Sequence, residues 1–433
     1  MNPFLETLLD TPLDDTYRGV PPGEDAIPLR AVATRQWQPR SGNMALPVLT
    51  LDEAAFTHNV DQIFGYARSH GAALAPHAKT PMSPQIVQRL LDAGAWGATV
   101  ANLQQAAVLL RAGVRRLMLG NEIGGPASGA RLGKLLAAYP DARMLMFADS
   151  PETVRSLAAA AEQAGRPAEV LVEIGGGRAG ARDDAAVAAI LDAIGARPAR
   201  LTLAGVATYE GAVATSDAAV TAKNIAALME RAAKAFRQVR ALAPDTPLVF
   251  TAGGSAFFDQ VTQAAKPLLE QDGNAQLVLR SGAIFFHDHG TYQRALKAMD
   301  ARVGFTVDGQ ARRAATDFQP ALRLWGEVLS RPEPGLAICG FGMRDVSYDQ
   351  DLPMPLAAFR DGAPLAGWDP QARVTRLNDQ HAFLAIAPDS ALAPGDVIEF
   401  GISHPCTCLD RWRVFFGLDA EGRVQSAYRT FFG

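Results

Sequence analysis

The chain has 433 residues, of which 48% are apolar and 20% charged, enough for a large buried core and unlike a disordered or fibrous composition. A net charge of −4, with no run of like charges, sets up no basic field for a phosphate backbone or an anionic lipid surface. Nucleic acid and membrane are therefore not expected as partners, and no apolar run reaches the roughly 18 residues that a membrane span requires.

Residues 1–46 are rich in turn formers, with Pro12, Pro21, Pro22, Gly23, Pro28, Pro39 and Gly42, and read as an N-terminal extension. Met1–Tyr17 lacks the positive region of a signal peptide, the first basic residue being Arg18, so a cytoplasmic location is expected. From residue 47 to about 290, short apolar runs alternate with longer stretches of helical period, the pattern of βα units. Eight strands are predicted: Ala72–Pro76, Gly97–Ala101, Arg116–Gly120, Arg143–Ala148, Ala168–Ile174, Leu201–Thr208, Thr246–Thr251 and Gln276–Arg280. Ser83-Pro84 and Ser150-Pro151 read as helix starts, and Gly113, Gly165 and Gly195 as stops. The count and size fit a (β/α)8 barrel over 47–290 better than an open doubly wound sheet, the alternative. From residue 291 to 433 the helical period fades into short runs such as Ala321–Leu329, Gly335–Cys339, His381–Ala387 and Asp396–Ile402, which predict a mainly β C-terminal domain.

In such a barrel the chemistry sits past the C-terminal ends of the strands. Those positions hold His77 and Lys79, Asn102, Asn121, Asp149, Glu173 with Arg178 and Arg182, Tyr209 with Glu210, Gly253-Gly254-Ser255 and Ser281-Gly282. Of six lysines, five (Lys134, Lys223, Lys234, Lys266 and Lys297) fall in or just after predicted helices, where charge is usually solvated; Lys79 alone follows a strand. A lysine partly desolvated in a barrel mouth has its ammonium disfavoured and becomes a nucleophile for a Schiff base, a structural ion pair being the other reading. Gly253-Gly254-Ser255 and Ser281-Gly282 lie in the loops after strands seven and eight, where glycines let backbone N–H groups approach a phosphate or simply make turns. An amine at one side and a phosphate cup at the other suggest pyridoxal 5′-phosphate (PLP). Gly175–Gly180 also fits G-x-G-x-x-G, but the fit is poor: Arg178, Arg182, Asp183 and Asp184 make the turn polar, and the nearest strand-end acid, Glu210, lies about 30 residues on.

Three cysteines, Cys339, Cys406 and Cys408, cannot form a disulfide framework. Near the C-terminus His404, Cys406 and Cys408 would share one side of an extended strand, a zinc-type donor set with open positions; buried cysteines acting as small hydrophobes are the plainer reading.

Pro76-His77-Ala78-Lys79-Thr80 together with His404-Pro405-Cys406 resembles the fold-type III PLP enzymes, in particular the D-serine dehydratases, D-threo-3-hydroxyaspartate dehydratases and D-threonine aldolases related to alanine racemase. Val172–Arg182 is similar to that family's strand-end arginine motif, and Thr208-Tyr209-Glu210-Gly211 to its next one. The resemblance runs from about residue 47 to 433. It departs from the family at Ala75, where arginine is common, at Cys339–Asp345, and at Cys408, where threonine is usual. It implies Lys79 as the Schiff-base and catalytic residue, cofactor contacts from His77, Arg178, Tyr209, Gly253, Gly254, Ser255, Ser281 and Gly282, and zinc or another divalent metal on His404 and Cys406. The implied activity is elimination of water from a 3-hydroxy D-amino acid such as D-serine, giving a 2-oxo acid and ammonia, in a head-to-tail homodimer. Aldolases of the family more often place a carboxylate where Cys406 stands. The alternatives are a D-threonine aldolase-type cleavage, a racemase, which needs no metal, and a PLP-binding protein without turnover.

Overall fold

The computed structural model describes residues 2–432. All eight predicted barrel strands form: β2 (Ala72–Leu74), β3 (Ala98–Val100), β4 (Arg116–Leu119), β5 (Arg143–Ala148), β6 (Ala168–Ile174), β7 (Leu201–Thr208), β8 (Leu248–Ala252) and β9 (Ala275–Leu279), where β1 is kept for Val48–Asp52. They pair in parallel, each beside its neighbour in sequence, with β9 returning to β2. Between β2 and β3 the ring is completed by Trp96 N–H to the Leu74 carbonyl (2.7 Å), Thr99 N–H to Pro76 (2.9 Å) and Ala78 N–H to Thr99 (2.8 Å). These evenly stepped bonds continue a parallel ladder past the end of β2 and close the barrel.

Period-two alternation sorts the strand residues. Leu145, Phe147, Leu171, Ala204, Val249 and Val278 fill the interior, while Met144, Met146, Val170 and Val172 pack outward under the helices. Continuing the inward series by two residues from Leu171, Val249 and Val278 reaches Glu173, Thr251 and Arg280, a polar layer at the C-terminal mouth. The helices start and stop as the sequence suggests. Ser150 and Thr153 form a capping box at Pro151–Ala164, and Gly165 ends that helix in the left-handed region at φ 68°. Glu53–Ser69 is capped by Asp52 and buries Phe56, Val60, Ile63, Phe64 and Ala67.

The C-terminal part is antiparallel and centred on the long β10 (Leu322–Glu333), with β11 (Leu336–Cys339), β12 (Met354–Arg360), β13 (Arg373–Leu377), β14 (Ala382–Ala385) and β15 (Val397–Gly401) in the order β12-β15-β10-β11-β14-β13. β16 (Val414–Leu418) and β17 (Val424–Arg429) complete it.

Two expectations about the N-terminal portion are corrected. β1, assigned by sequence to the barrel, pairs antiparallel with β10 and parallel with β16, so it belongs to the C-terminal sheet. The N-terminal extension, read as residues 1–46 with no packing assigned, is seated on that sheet: Leu13, Val20, Leu29, Val32, Trp37 and Met44 are buried with Phe416, Leu418 and Val424. The turn formers there shape a segment that wraps the second sheet, and its apolar residues are too widely spaced to show a period.

Candidate active site

The barrel mouth is built on the polar layer just described. Arg280 is fully buried and donates to Thr251 Oγ1 (2.8 Å) and the Thr208 carbonyl (2.7 Å). Burial lowers its affinity for a proton, and Glu210, Glu173 and Tyr209 work against that. Glu173 is pushed up to about 9, first by burial and then by its contact with the Glu122 carboxyl. Among the described residues each of the two acids leaves one buried oxygen without a donor, Glu173 Oε2 and Glu122 Oε1. Burial, and then the positive charges of Lys79, Arg280 and Arg178, push His77 well below its usual range, so it is a neutral imidazole; its Nδ1 is buried without a partner among the described residues.

Lys79 stands in the turn after β2 at the rim of the mouth, and here the sequence expectation changes. The side chain is exposed, not partly desolvated, and makes no ion pair among the described residues. Its amine is therefore free to reach a group placed in the mouth. Arg178 is exposed too, with its guanidinium 4.8 Å over the Tyr209 ring, and Tyr209 is raised by burial and by Glu210 beside it.

The predicted phosphate cup is only partly available. Gly253 N–H (3.0 Å) and Gly254 N–H (2.6 Å) both donate to the buried Glu210 carboxylate, and the Ser281 hydroxyl donates to the Gly253 carbonyl (2.9 Å). These three residues hold the two loops together instead of presenting donors. The N–H groups of Ser255, Gly282 and Ala283 have no acceptor among the described residues, and Ser255 is buried where its hydroxyl accepts from Ile284 N–H (3.2 Å). Gly282 is required by close approach: a Cβ there would lie 2.5 Å from the His77 carbonyl oxygen. Gly253 adopts φ 83°, which favours glycine. A free amine at one rim, free backbone donors at the other, an unpartnered buried imidazole nitrogen and two arginines fit a phosphate-bearing aldehyde cofactor.

Beside Lys79, Thr80 Oγ1 lies 3.3 Å from the Cys406 sulfur, so the two distant sequence motifs meet at one place. The extended geometry expected for His404–Cys408 is replaced by a short helix, Pro405–Leu409, that starts on Pro405. Helical geometry keeps His404 and Cys406 together but turns Cys408 into the core, where it is fully buried and its thiol is pushed up to about 12 by burial. Cys408 is thus a packing residue, as is Cys339, also buried. His404 is disfavoured as a cation by burial, yet hydrogen bonds to Cys406 and Asp349 carry it up to about 9. Among the described residues no three His, Cys, Asp or Glu side chains converge tightly enough to hold a metal by themselves. An imidazole and a thiol from one turn fit a metal that keeps open positions, the arrangement of a catalytic and not a structural site.

Residues the sequence reading passed over also line this region. Glu122 was not singled out, and Arg280 was taken only as the end of a strand, though the period-two register points it inward. Asp288 is buried, holds Gly290 N–H (2.7 Å) and Tyr292 N–H (2.9 Å) through Oδ1, leaves Oδ2 without a donor, and is pushed up to about 7 by burial. Of the other strand-end residues, Asn102 caps the helix Leu103–Arg111, Asp149 accepts from Gly180 N–H (3.3 Å) and Arg182 donates to the Ala179 carbonyl (3.1 Å), all structural roles. Asn121 is exposed. The Gly175–Gly180 turn opens no helix; the next one starts at Asp184, and the dinucleotide alternative falls with the closed barrel.

Comparison with known proteins agrees with this architecture. Residues 51–265 match the family model described as alanine racemase, N-terminal domain, and residues 321–418 that described as putative serine dehydratase domain. The chain is 28% identical over 398 residues to a D-threonine aldolase of an Arthrobacter species, covering 90% of this chain and 91% of that one. It is 27% identical over 315 residues to a 3-hydroxy-D-aspartate aldolase of Paracoccus denitrificans, covering 71% and 74%. Among solved structures it is similar to D-threonine aldolase from Filomicrobium marinum (TM-score 0.72, 25% identity, 90% and 95% covered). The fold is also that of D-threo-3-hydroxyaspartate dehydratase from Delftia sp. HT23 (TM-score 0.67, 23% identity, 90% and 98% covered).

Proposed function

Because the chain belongs to the alanine racemase-like, fold-type III PLP family, we propose that it is a PLP- and metal-dependent lyase acting on 3-hydroxy D-amino acids, and that it eliminates water to give a 2-oxo acid and ammonia. The observation that carries this reading is the meeting of Thr80 and Cys406 at 3.3 Å, which sets an imidazole–thiol pair beside the only lysine of the barrel mouth.

Bound PLP supplies an electron sink for the pair left when a Cα–H bond breaks, and a divalent metal supplies Lewis acidity at a β-hydroxyl, otherwise a poor leaving group. The remaining work falls to the chain. Lys79 Nζ, the free amine at the rim, would hold the cofactor and would take up the Cα proton. Ser255, Gly282 and Ala283 offer N–H donors to a phosphate, and the neutral His77 imidazole leaves its Nδ1 available for a hydrogen bond. Arg178 and Arg280 make the mouth positive, which draws in an anionic amino acid. Glu173, whose hold on its proton is raised by burial and by Glu122, keeps the floor from opposing that field. His404 and Cys406 are the residues that would hold the metal. The exposed Lys79 is in keeping with a homodimer in which a second chain covers the mouth.

A retro-aldol cleavage is the second reading, favoured by the D-threonine aldolase that matches along 90% of this chain. The dehydratase is favoured by the thiol at Cys406, where the resemblance implies a carboxylate more often in the aldolases. The test is a spectrum of the purified protein followed by product assays with D-serine, D-threo-3-hydroxyaspartate and D-threonine, before and after chelation. Absorbance at about 410–420 nm with chelator-sensitive release of ammonia and 2-oxo acid is expected. Glycine and an aldehyde would establish the aldolase instead, and absence of that absorbance after incubation with PLP would overturn the cofactor reading.

A further inference from the structure

The loop between β11 and β12 carries a carboxylate to the edge of the candidate metal pair. Asp349 Oδ2 lies 2.7 Å from His404 Nδ1, and Asp349 Oδ1 accepts the Thr407 hydroxyl at 2.6 Å. Thr407 Oγ1 is itself 3.1 Å from His404 Nδ1, so carboxylate, hydroxyl and imidazole form a closed triangle. The same loop grips the main chain: His404 N–H donates to Ser347 Oγ at 3.2 Å. Nor is the loop free to drift. Its Asp345 is buried and takes Arg18 (2.8 Å) and Gly342 N–H (2.9 Å), while Trp412 Nε1 donates to the Asp345 carbonyl (2.9 Å). Residues near 18 thereby brace a loop more than 300 positions away.

With Nδ1 committed to Asp349, only Nε2 of His404 is left for another partner. Ligating histidines are commonly oriented in this way, the second nitrogen donating to a carboxylate that fixes the tautomer and raises ligand basicity. Asp349 faces His404 Nδ1, and among the described residues no three His, Cys, Asp or Glu side chains converge closely enough to hold a metal, so Asp349 is placed to act through the ring and not as a ligand itself.

We propose that Asp349 is a positioning residue: by accepting the Nδ1–H of His404 it presents Nε2 as the lone-pair donor to a divalent cation shared with the Cys406 sulfur, and Thr407 holds the carboxylate in place. This rests on the metal reading above.

The test is a cobalt(II) titration of the full-length chain, without substrate, read by the sulfur-to-cobalt charge-transfer band. Asp349→Ala is expected to weaken cobalt binding about 10–100-fold while still reaching the band at saturation. Asp349→Asn keeps an acceptor for Nδ1–H and is expected to stay within a few-fold of the native chain. Thr407→Val should weaken binding several-fold, and it carries the test if Asp349→Ala fails to fold. Native-like affinity in Asp349→Ala, or in Thr407→Val if that variant is the one that folds, would overturn the positioning role alone. An Asp349→Asn as weak as Asp349→Ala would overturn it in favour of a charge or direct-ligand role. A native chain that binds no cobalt would overturn both this inference and the metal reading.

Discussion

Replacing Glu173 by glutamine removes an ionisable proton from the floor of the mouth while keeping the shape and a donor toward Glu122. In the folded chain burial and Glu122 raise this acid from 4.5 to about 9. The folded state therefore binds the proton more tightly than the unfolded chain does. The associated stability is fully present below pH 4.5 and is lost as pH rises toward about 9. Each pH unit in that window is worth up to about 1.4 kcal/mol, so by pH 7 the loss comes to about 3 kcal/mol. The glutamine variant does not pass through this window. It should match the native chain at pH 4 and exceed it by about 3 kcal/mol at pH 7, with the gap still widening at pH 8. Urea unfolding of both proteins without added cofactor, followed by circular dichroism from pH 4 to 8, measures the gap directly. A gap that is constant across this range, or a variant less stable than the native chain at pH 7, would refute the account in which burial and Glu122 raise the proton affinity of Glu173.

Three further outcomes are expected. Lys79→Ala should abolish the absorbance at about 410–420 nm after PLP is added, with little change in the melting midpoint because the side chain is exposed; retained absorbance would place the amine elsewhere. Cys406→Ala should keep that absorbance but lose chelator-sensitive turnover, and full activity without bound metal would contradict the imidazole–thiol reading. In Gly282→Ala the added Cβ would sit 2.5 Å from the His77 carbonyl oxygen, so the loop must shift. A loss of about 1–3 kcal/mol and weaker retention of PLP are expected, measured by urea unfolding and by dialysis.

The strands, their parallel order and the barrel were legible in the sequence because each depends on a local repeat: an apolar run, a helical period and a glycine or proline stop. Arg143–Ala148, Ala168–Ile174 and Leu201–Thr208 are observed with the predicted boundaries. The polar residues past the strand ends marked the mouth for the same reason, since their place follows from the strand register. Three features were not legible. Val48–Asp52 fell inside the span read as barrel, because position in the chain does not say which sheet a segment will join; pairing with β10 and β16, more than 250 residues away, decided that. Gly253 and Gly254 looked like phosphate donors, but a loop sequence does not reveal that Glu210 already takes their N–H groups. Cys408 looked like a third donor in an extended segment, and a proline-started helical turn sent it into the core.

By itself, then, the sequence determined what alternates: the βα order, the inward and outward faces, and the residue types available at the mouth. The tertiary structure decided what meets: Thr80 with Cys406, Asp349 with His404, Arg18 with Asp345, each separated by 55 residues or more. The division follows from the forces involved. Backbone geometry and burial act over a turn or a strand and leave a periodic trace in the chain. Hydrogen bonds between distant side chains leave none, because they depend on how whole elements pack.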